Sequence, residues 1–157
     1  GPPFNASTQI ITMLYLSYVV GIIISLLIGA LSNRIGNGAA MALGSLVFML
    51  AILLTFIRSM PVVALSLAVV CAGFFTVHAA AAGSLNRRLT SSRGRANSLY
   101  VLFYYLGGYA GITLSGYAYL HSGWAGVALL GAAMLLVPLV SGVLEMRLEG
   151  PRKEGPY

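Results

Sequence analysis

The chain contains no aspartate, and its three glutamates, Glu145, Glu149 and Glu154, all fall within the last 13 residues. Charged side chains make up 8% of the sequence, against about 25% in an ordinary soluble domain. These shortages exclude whole kinds of chemistry. No metal-ligand cluster and no Ser, His and carboxylate set can be assembled within the apolar part of the chain, so it does not read as an enzyme and calls for no cofactor and no metal. The single cysteine, Cys71, offers neither a disulfide framework nor a thiolate site and reads as a small buried hydrophobe. A net charge of +6 can mark a nucleic-acid binder. Here the basic residues sit in short segments between apolar runs, with no basic, aromatic-bearing soluble domain, and no nucleic acid is expected.

Long uncharged runs are what the chain does have. Five of them, Ile10 to Leu31, Ala39 to Ile57, Val62 to Leu85, Ala96 to Leu120 and Trp124 to Leu144, contain none of the formally charged side chains. Each reaches the roughly 20 residues that a helix needs to cross about 30 Å of hydrocarbon. Unpaired backbone groups are costly in lipid and strand-type alternation is absent, so the expected fold class is an all-α membrane protein with five transmembrane helices. The first run is too long, and lacks the basic lead-in, for a cleavable signal peptide.

Positive charge sets the expected orientation. Arg34, Arg87, Arg88, Arg93, Arg95, Arg147, Arg152 and Lys153 collect on one side of the alternating spans, and only Arg58 falls on the other. The crowded side is expected in the cytoplasm, together with a tail over 149–157, and Gly1 to Gln9 outside. Tyr15, Tyr18, Tyr117, Tyr119 and Trp124 fit an aromatic belt at the outer interface. An odd number of spans with an external start, and no initiator Met, reads as a piece of a longer protein; a trimmed five-helix protein is the alternative. "NAS" at Asn5 matches a glycosylation acceptor pattern, a short and common match.

Helices in lipid approach closely through small side chains. The first span carries Ser17, Gly21, Ser25 and Gly29 at four-residue spacing, and the fourth carries Gly107, Gly111 and Ser115, continued through Tyr104 and Tyr100 on about the same face. Such stripes serve ordinary bundle packing, or they face a partner bundle or a substrate path. The second and fifth spans have no polar stripe and read as peripheral helices touching lipid. Pro61 suits a helix start, and Pro138 should kink the last span.

"GFFTVHAAAAG" places His78 inside the third span. An ionisable group at that depth usually faces the bundle interior and is a functional candidate, since His changes charge near neutral pH. The alternative is a neutral His hydrogen-bonded to a neighbouring helix. Counting residues from the "NRRLTSSRGR" loop puts His78 and Tyr104 at similar depth, so a bond between them is geometrically open.

Gly29, Leu31, Arg34 and Gly36 in "GALSNRIGNG" resemble the loop motif of the major facilitator superfamily, broadly G-x-L-x-D-R-x-G-R-R/K. "GFFTVHAAAAGS" and "RGRANSLYVLFYYLGGYAG" resemble the tenth and eleventh helices of its bacterial arabinose-efflux and drug-resistance permease branch. The resemblance implies that residues 1–148 form a partial C-terminal bundle, helices 8 to 12 of a twelve-helix fold, with seven N-terminal helices missing. It implies proton-coupled efflux of a small solute across a bacterial inner membrane by alternating access. In that scheme Ser17, Gly21, Ser25, Gly29, Gly107, Gly111 and Ser115 pack at the interface between bundles. His78, Tyr100, Tyr104 and Tyr105 lie along the path for protons and solute. The motif is degenerate here: Asn33 stands where the family prefers Asp, and Asn37 and Gly38 where it prefers basic residues. With no buried carboxylate and no intramembrane Arg or Lys, a neutral or amphiphilic solute is favoured. The rival reading is a non-transporting membrane module that uses the Ser17 to Gly29 stripe to assemble with other helices.

Overall fold

The computed structural model of the chain describes residues 7–89 and 91–149. The Asn5 pattern and the tail from residue 150, with Arg152 and Lys153, lie outside the described residues. Within them every element is a helix: α1 (Thr8–Leu14), α2 (Ser17–Ile35), α3 (Asn37–Leu54), α4 (Met60–Arg88) and α5 (Arg93–Glu149). Ser7 caps α1 by accepting from the Ile10 N–H at 3.4 Å. Between α1 and α2 the N–H groups of Tyr15, Leu16, Tyr18 and Val19 donate three residues back, a tightened turn inside one apolar stretch, Thr8–Ile35. Pro61 lies in the first turn of α4, where its missing N–H costs nothing.

The all-α membrane class stands, but the expected count of five separate spans is corrected. Four helices are long and apolar enough to cross a membrane: Thr8–Ile35, Asn37–Leu54, Met60–Arg88 and Arg93–Glu149. The predicted fourth and fifth spans both lie in the 57-residue α5, interrupted only at Gly123, which has φ 60° and ψ −149°. A Cβ built on Gly126 would meet the Ala118 carbonyl, so the chain folds back at Gly123 into arms 93–122 and 124–149. One glycine suffices because this backbone conformation is open to it and to almost no other residue. The link between α2 and α3 works in the same way: Gly36, with φ 95° and ψ 153°, is its single non-helical residue.

Side-chain contacts fix the directions. Gly21 of α2 lies under the Phe75 ring and Asn33 meets Arg87, so α2 and α4 run parallel. Gly44 abuts Thr76 and Gly73 abuts Phe48, so α3 runs antiparallel to α4. The second arm of α5 is antiparallel to α3: Gly142 backs onto Gly38, Gly131 lies near Ile52, and Trp124 Nε1 donates to Thr55 Oγ1 at 2.8 Å. The first arm is antiparallel to α4, with Tyr104 beside Phe74 and Asn97 bonded to Asn86.

The second span, expected at the lipid-facing periphery, is instead the centre of the bundle. Eight of the 18 residues of α3 are buried, from Asn37 to Ala51. Only three of the 57 in α5 are, Ala128, Leu135 and Gly142, all on its second arm. Small side chains are the reason. "NGAAMALGS" lets α3 come within van der Waals contact of two backbones, and in lipid such contacts, with hydrogen bonds, are what hold helices together.

Two pairs of substitutions test this packing, each read as resistance to detergent unfolding. Gly36→Ala and Gly123→Ala should each lower stability by about 1–3 kcal/mol through the backbone alone. Gly36→Ala should cost more, because its methyl also displaces the Glu149 carboxylate that accepts the Asn37 N–H, whereas nothing lies near a Cβ at Gly123. A Gly36→Ala chain as stable as the parent would contradict the single-residue turn. Gly142→Leu should cost about 1–3 kcal/mol or more by wedging α3 from α5, while Gly107→Leu, which meets no neighbour, should be nearly silent. Equal costs would count against α3 as the centre.

Candidate functional site

Two polar clusters interrupt the apolar bundle at different depths. The deeper one is built on the antiparallel contact between α4 and the first arm of α5. Successive turns of α4 bring Phe74 and His78 onto one face, and successive turns of α5 bring Tyr100 and Tyr104 to meet them. The Tyr100 hydroxyl lies 2.9 Å from His78 Nδ1 and 3.3 Å from the His78 carbonyl oxygen. Tyr104 packs ring to ring on the imidazole with centroids 5.0 Å apart, and Phe74 stacks on it at 6.0 Å and 10° between planes.

The geometry suits both charge states of the imidazole. When Nδ1 is bare, the phenol donates to it. When Nδ1 carries a proton, that N–H donates to the phenolic oxygen, and the phenol proton can turn to the carbonyl oxygen on its other side. The depth count pointed to Tyr104 as the hydrogen-bond partner; the structure corrects this to Tyr100. Tyr100 and Tyr104 are one turn apart on the same face, a distinction that depth alone does not make. Tyr105 meets Tyr104 edge-on at 5.5 Å and is 69% exposed.

The stripes of small residues are used unevenly. Gly21 is already filled by Phe75 of this same bundle, and the Ser25 hydroxyl turns back to the Ile22 carbonyl at 2.7 Å. Ser17 is half-buried. A Cβ on Gly29, Gly107 or Gly111 would meet nothing within 4 Å, and Ser115 is half-exposed.

The shallower cluster joins the ends of α2, α3, α4 and the second arm of α5. Gly36 of the loop motif makes the turn, Arg34 is exposed, and Asn33 Oδ1 accepts from Arg87 Nη2 at 3.0 Å. Glu149 Oε1 accepts the Asn37 N–H at 3.0 Å, so a carboxylate sits at the positive end of α3. Glu145 accepts from the Ser84 hydroxyl and pairs with Arg88. Arg87, Arg88, Glu145, Leu148 and Glu149 line a cavity of about 340 Å³.

The contacts that Glu145 and Glu149 make with Ser84, Arg88 and Asn37 are what sequence reasoning missed. Their signal was present: Glu145 and Glu149 are four apart on one helical face, at the end of a span returning to the basic side. Glu149 brings from a distant part of the chain a charge that Asn33 does not carry. Among the described residues no group of His, Cys, Asp and Glu could hold a metal ion.

Comparison with known proteins agrees with the geometry. The sequence profile of the Major Facilitator Superfamily matches residues 3–156. The chain is 30% identical over 154 residues to the uncharacterized MFS-type transporter YybF of Bacillus subtilis, covering 98% of this chain and 38% of that one. It is 31% identical over 140 residues to the inner membrane transport protein YnfM of Escherichia coli, covering 89% of this chain and 34% of the relative. An uncharacterized transporter of Buchnera aphidicola is 26% identical over 142 residues, with 90% and 33% covered. The chain thus spans little more than a third of the length of these relatives. No solved structure gives a significant match. A family profile that runs nearly end to end, on a bundle of long apolar helices, places this chain in the Major Facilitator Superfamily.

Proposed function

We propose that the chain is the helix 8 to 12 part of a proton-coupled exporter of a small neutral or amphiphilic solute, working by alternating access in a bacterial inner membrane. Seven further helices would complete it, and the arginine-rich end would face the cytoplasm. The observation that carries the reading is the bond between Tyr100 and His78 Nδ1 at 2.9 Å. An ionisable ring sits inside an apolar helix, held by a partner that serves it with or without a second proton, and that partner belongs to the helix arm with no buried residue. Such an arm is free to face another bundle, and a group that changes charge on it couples protonation to movement.

In this mechanism α2 and the first arm of α5 form half of the wall of the path. Tyr104 and Tyr105 offer ring faces and hydroxyls to an amphiphilic solute. A proton entering from outside charges His78, the hydrogen bond to Tyr100 reverses, and the charged ring favours the state in which it is better solvated. Release to the cytoplasm resets the bond. Residues 1–148 would supply the bundle, joined at its edge by Glu149, whose carboxylate accepts the Asn37 N–H, with a short tail beyond it. Transport, rather than catalysis or passive helix assembly, is the reading that family membership favours.

In the longer transporter, His78→Ala should reduce proton-driven efflux by about tenfold, within the usual range of coupling between two ligands. Solute exchange that moves no net protons, and membrane abundance, should be kept. Efflux unchanged at normal abundance would contradict a direct role. Liposomes holding this chain alone should not transport, because half of the wall is absent; transport by them would overturn the reading.

A further inference from the structure

Two neighbouring rings of α4 meet two different helices. Phe74 stacks on the His78 imidazole with centroids 6.0 Å apart and 10° between planes, and meets Tyr104 of the first arm of α5 at 6.4 Å. Phe75, the next residue, lies instead on Gly21 of α2. Successive helical residues point about 100° apart, so α4 serves both neighbours at once. The two rings also touch each other: their centroids are 5.3 Å apart and their planes meet at 87°, the edge-to-face arrangement that aromatic pairs favour.

The seat at Gly21 has no slack. Gly21 is buried, and a Cβ built on it would occupy the space of the Phe75 ring. Further along the same stripe, Ser25 turns its hydroxyl back to its own helix and Gly29 has nothing within 4 Å of a built Cβ. Phe75 therefore has bare α2 backbone against one part of its ring and Phe74 against another. Where side chains are packed to the density of a crystal, displacement at one contact reappears at the next. Contacts run without a gap from the α2 backbone through Phe75 and Phe74 to the imidazole, and from there to the Tyr100 hydroxyl, 2.9 Å from Nδ1.

We propose that Gly21 and Phe75 are positioning residues for His78: the seat of Phe75 on the α2 backbone sets the stacking of Phe74, and through it the angle at which Nδ1 meets Tyr100. The use of this contact series in transport rests on the function proposed above, in which α2 walls the path and its movement is then felt at the group that takes the proton. The positioning itself belongs to this bundle and is tested without transport.

The test is solid-state NMR of the chain in bilayers, with His78 and the phenylalanine rings labelled, reading the Nδ1 resonance and the ring-to-ring correlation between Phe74 and His78. Gly21→Ala should weaken that correlation and shift Nδ1 toward the value of an imidazole without a hydrogen bond. Gly29→Ala, whose methyl meets nothing within 4 Å, should change neither. Since the ring at position 75 carries the effect, Gly21→Ala should add nothing further in a Phe75→Leu background, the non-additivity expected of residues in contact. Phe75→Leu alone, which makes no clash, should also weaken the correlation, and it decides the matter if Gly21→Ala does not assemble. Assembly is read from the Trp124 indole, which is bonded to Thr55 across α3 and α5. Unaltered His78 signals in Gly21→Ala or Phe75→Leu chains that assemble, an equal response to Gly29→Ala, or a Gly21→Ala effect of the same size with Leu at position 75 would each overturn the proposal. Efflux by the His78→Ala transporter is a separate measurement, so failure of the positioning and failure of the transport reading are told apart.

Discussion

Backbone-to-backbone contact along α3 is the constraint on which the rest depends. In lipid there is no apolar burial to gain by leaving the tails, so helices stay together where their surfaces fit closely. Gly38 against Gly142, and Gly44 and Gly73 against the facing helix, bring α4 and the second arm of α5 onto α3 at distances that no larger side chain would allow. That contact fixes the depth and rotation of α4. Because α4 carries His78 on one face and Ser84, Arg87 and Arg88 near its end, both polar clusters inherit their positions from the packing on α3.

The two clusters divide the work of the bundle by depth. The end cluster ties four helix ends with hydrogen bonds and one ion pair, Arg88 with Glu145, at a level where water and headgroups can solvate what remains. The inner cluster has no such solvation. It holds an ionisable imidazole between aromatic rings and gives it one oxygen partner able to donate or accept. In the proposed mechanism the first acts as a fixed clamp and the second as a movable part. The second also lies against the arm of α5 with the least packing of its own, which is where movement meets the least resistance.

Much of this was legible in the sequence, and what was not has definite causes. Apolar runs reveal where lipid is crossed, because the cost of charge in hydrocarbon leaves a compositional mark. They do not reveal where helices end: Ser32, Asn33 and Arg34 continue α2 in helical form, since intrahelical hydrogen bonds ask nothing of the side chains. For the same reason α5 passes through His121 and Ser122 up to Gly123 with no loop. His78 stood out as a lone ionisable group among apolar residues, yet its partner was ambiguous between two tyrosines one turn apart. The importance of α3 was hidden because Ala, Gly and Ser were sought at strict four-residue spacing, whereas α3 spreads them over two faces that meet two helices. Glu145 lay just past the last apolar run and Glu149 in the expected tail, and only the fold brings them to Arg88 and Asn37.

The central claim is that His78 keeps its bond to Tyr100 whether or not it carries the second proton. Nitrogen-15 solid-state NMR of ring-labelled His78, with the chain in bilayers and pH varied from mildly acidic to mildly alkaline, tests it most directly. The account predicts a neutral ring protonated on Nε2 with Nδ1 accepting a hydrogen bond. It should convert on acidification to an imidazolium whose Nδ1 remains hydrogen-bonded, and Tyr100→Phe should abolish that bond in both forms. An Nδ1 that makes no hydrogen bond in one of the two forms, an imidazole that does not titrate, or spectra indifferent to Tyr100→Phe would contradict it.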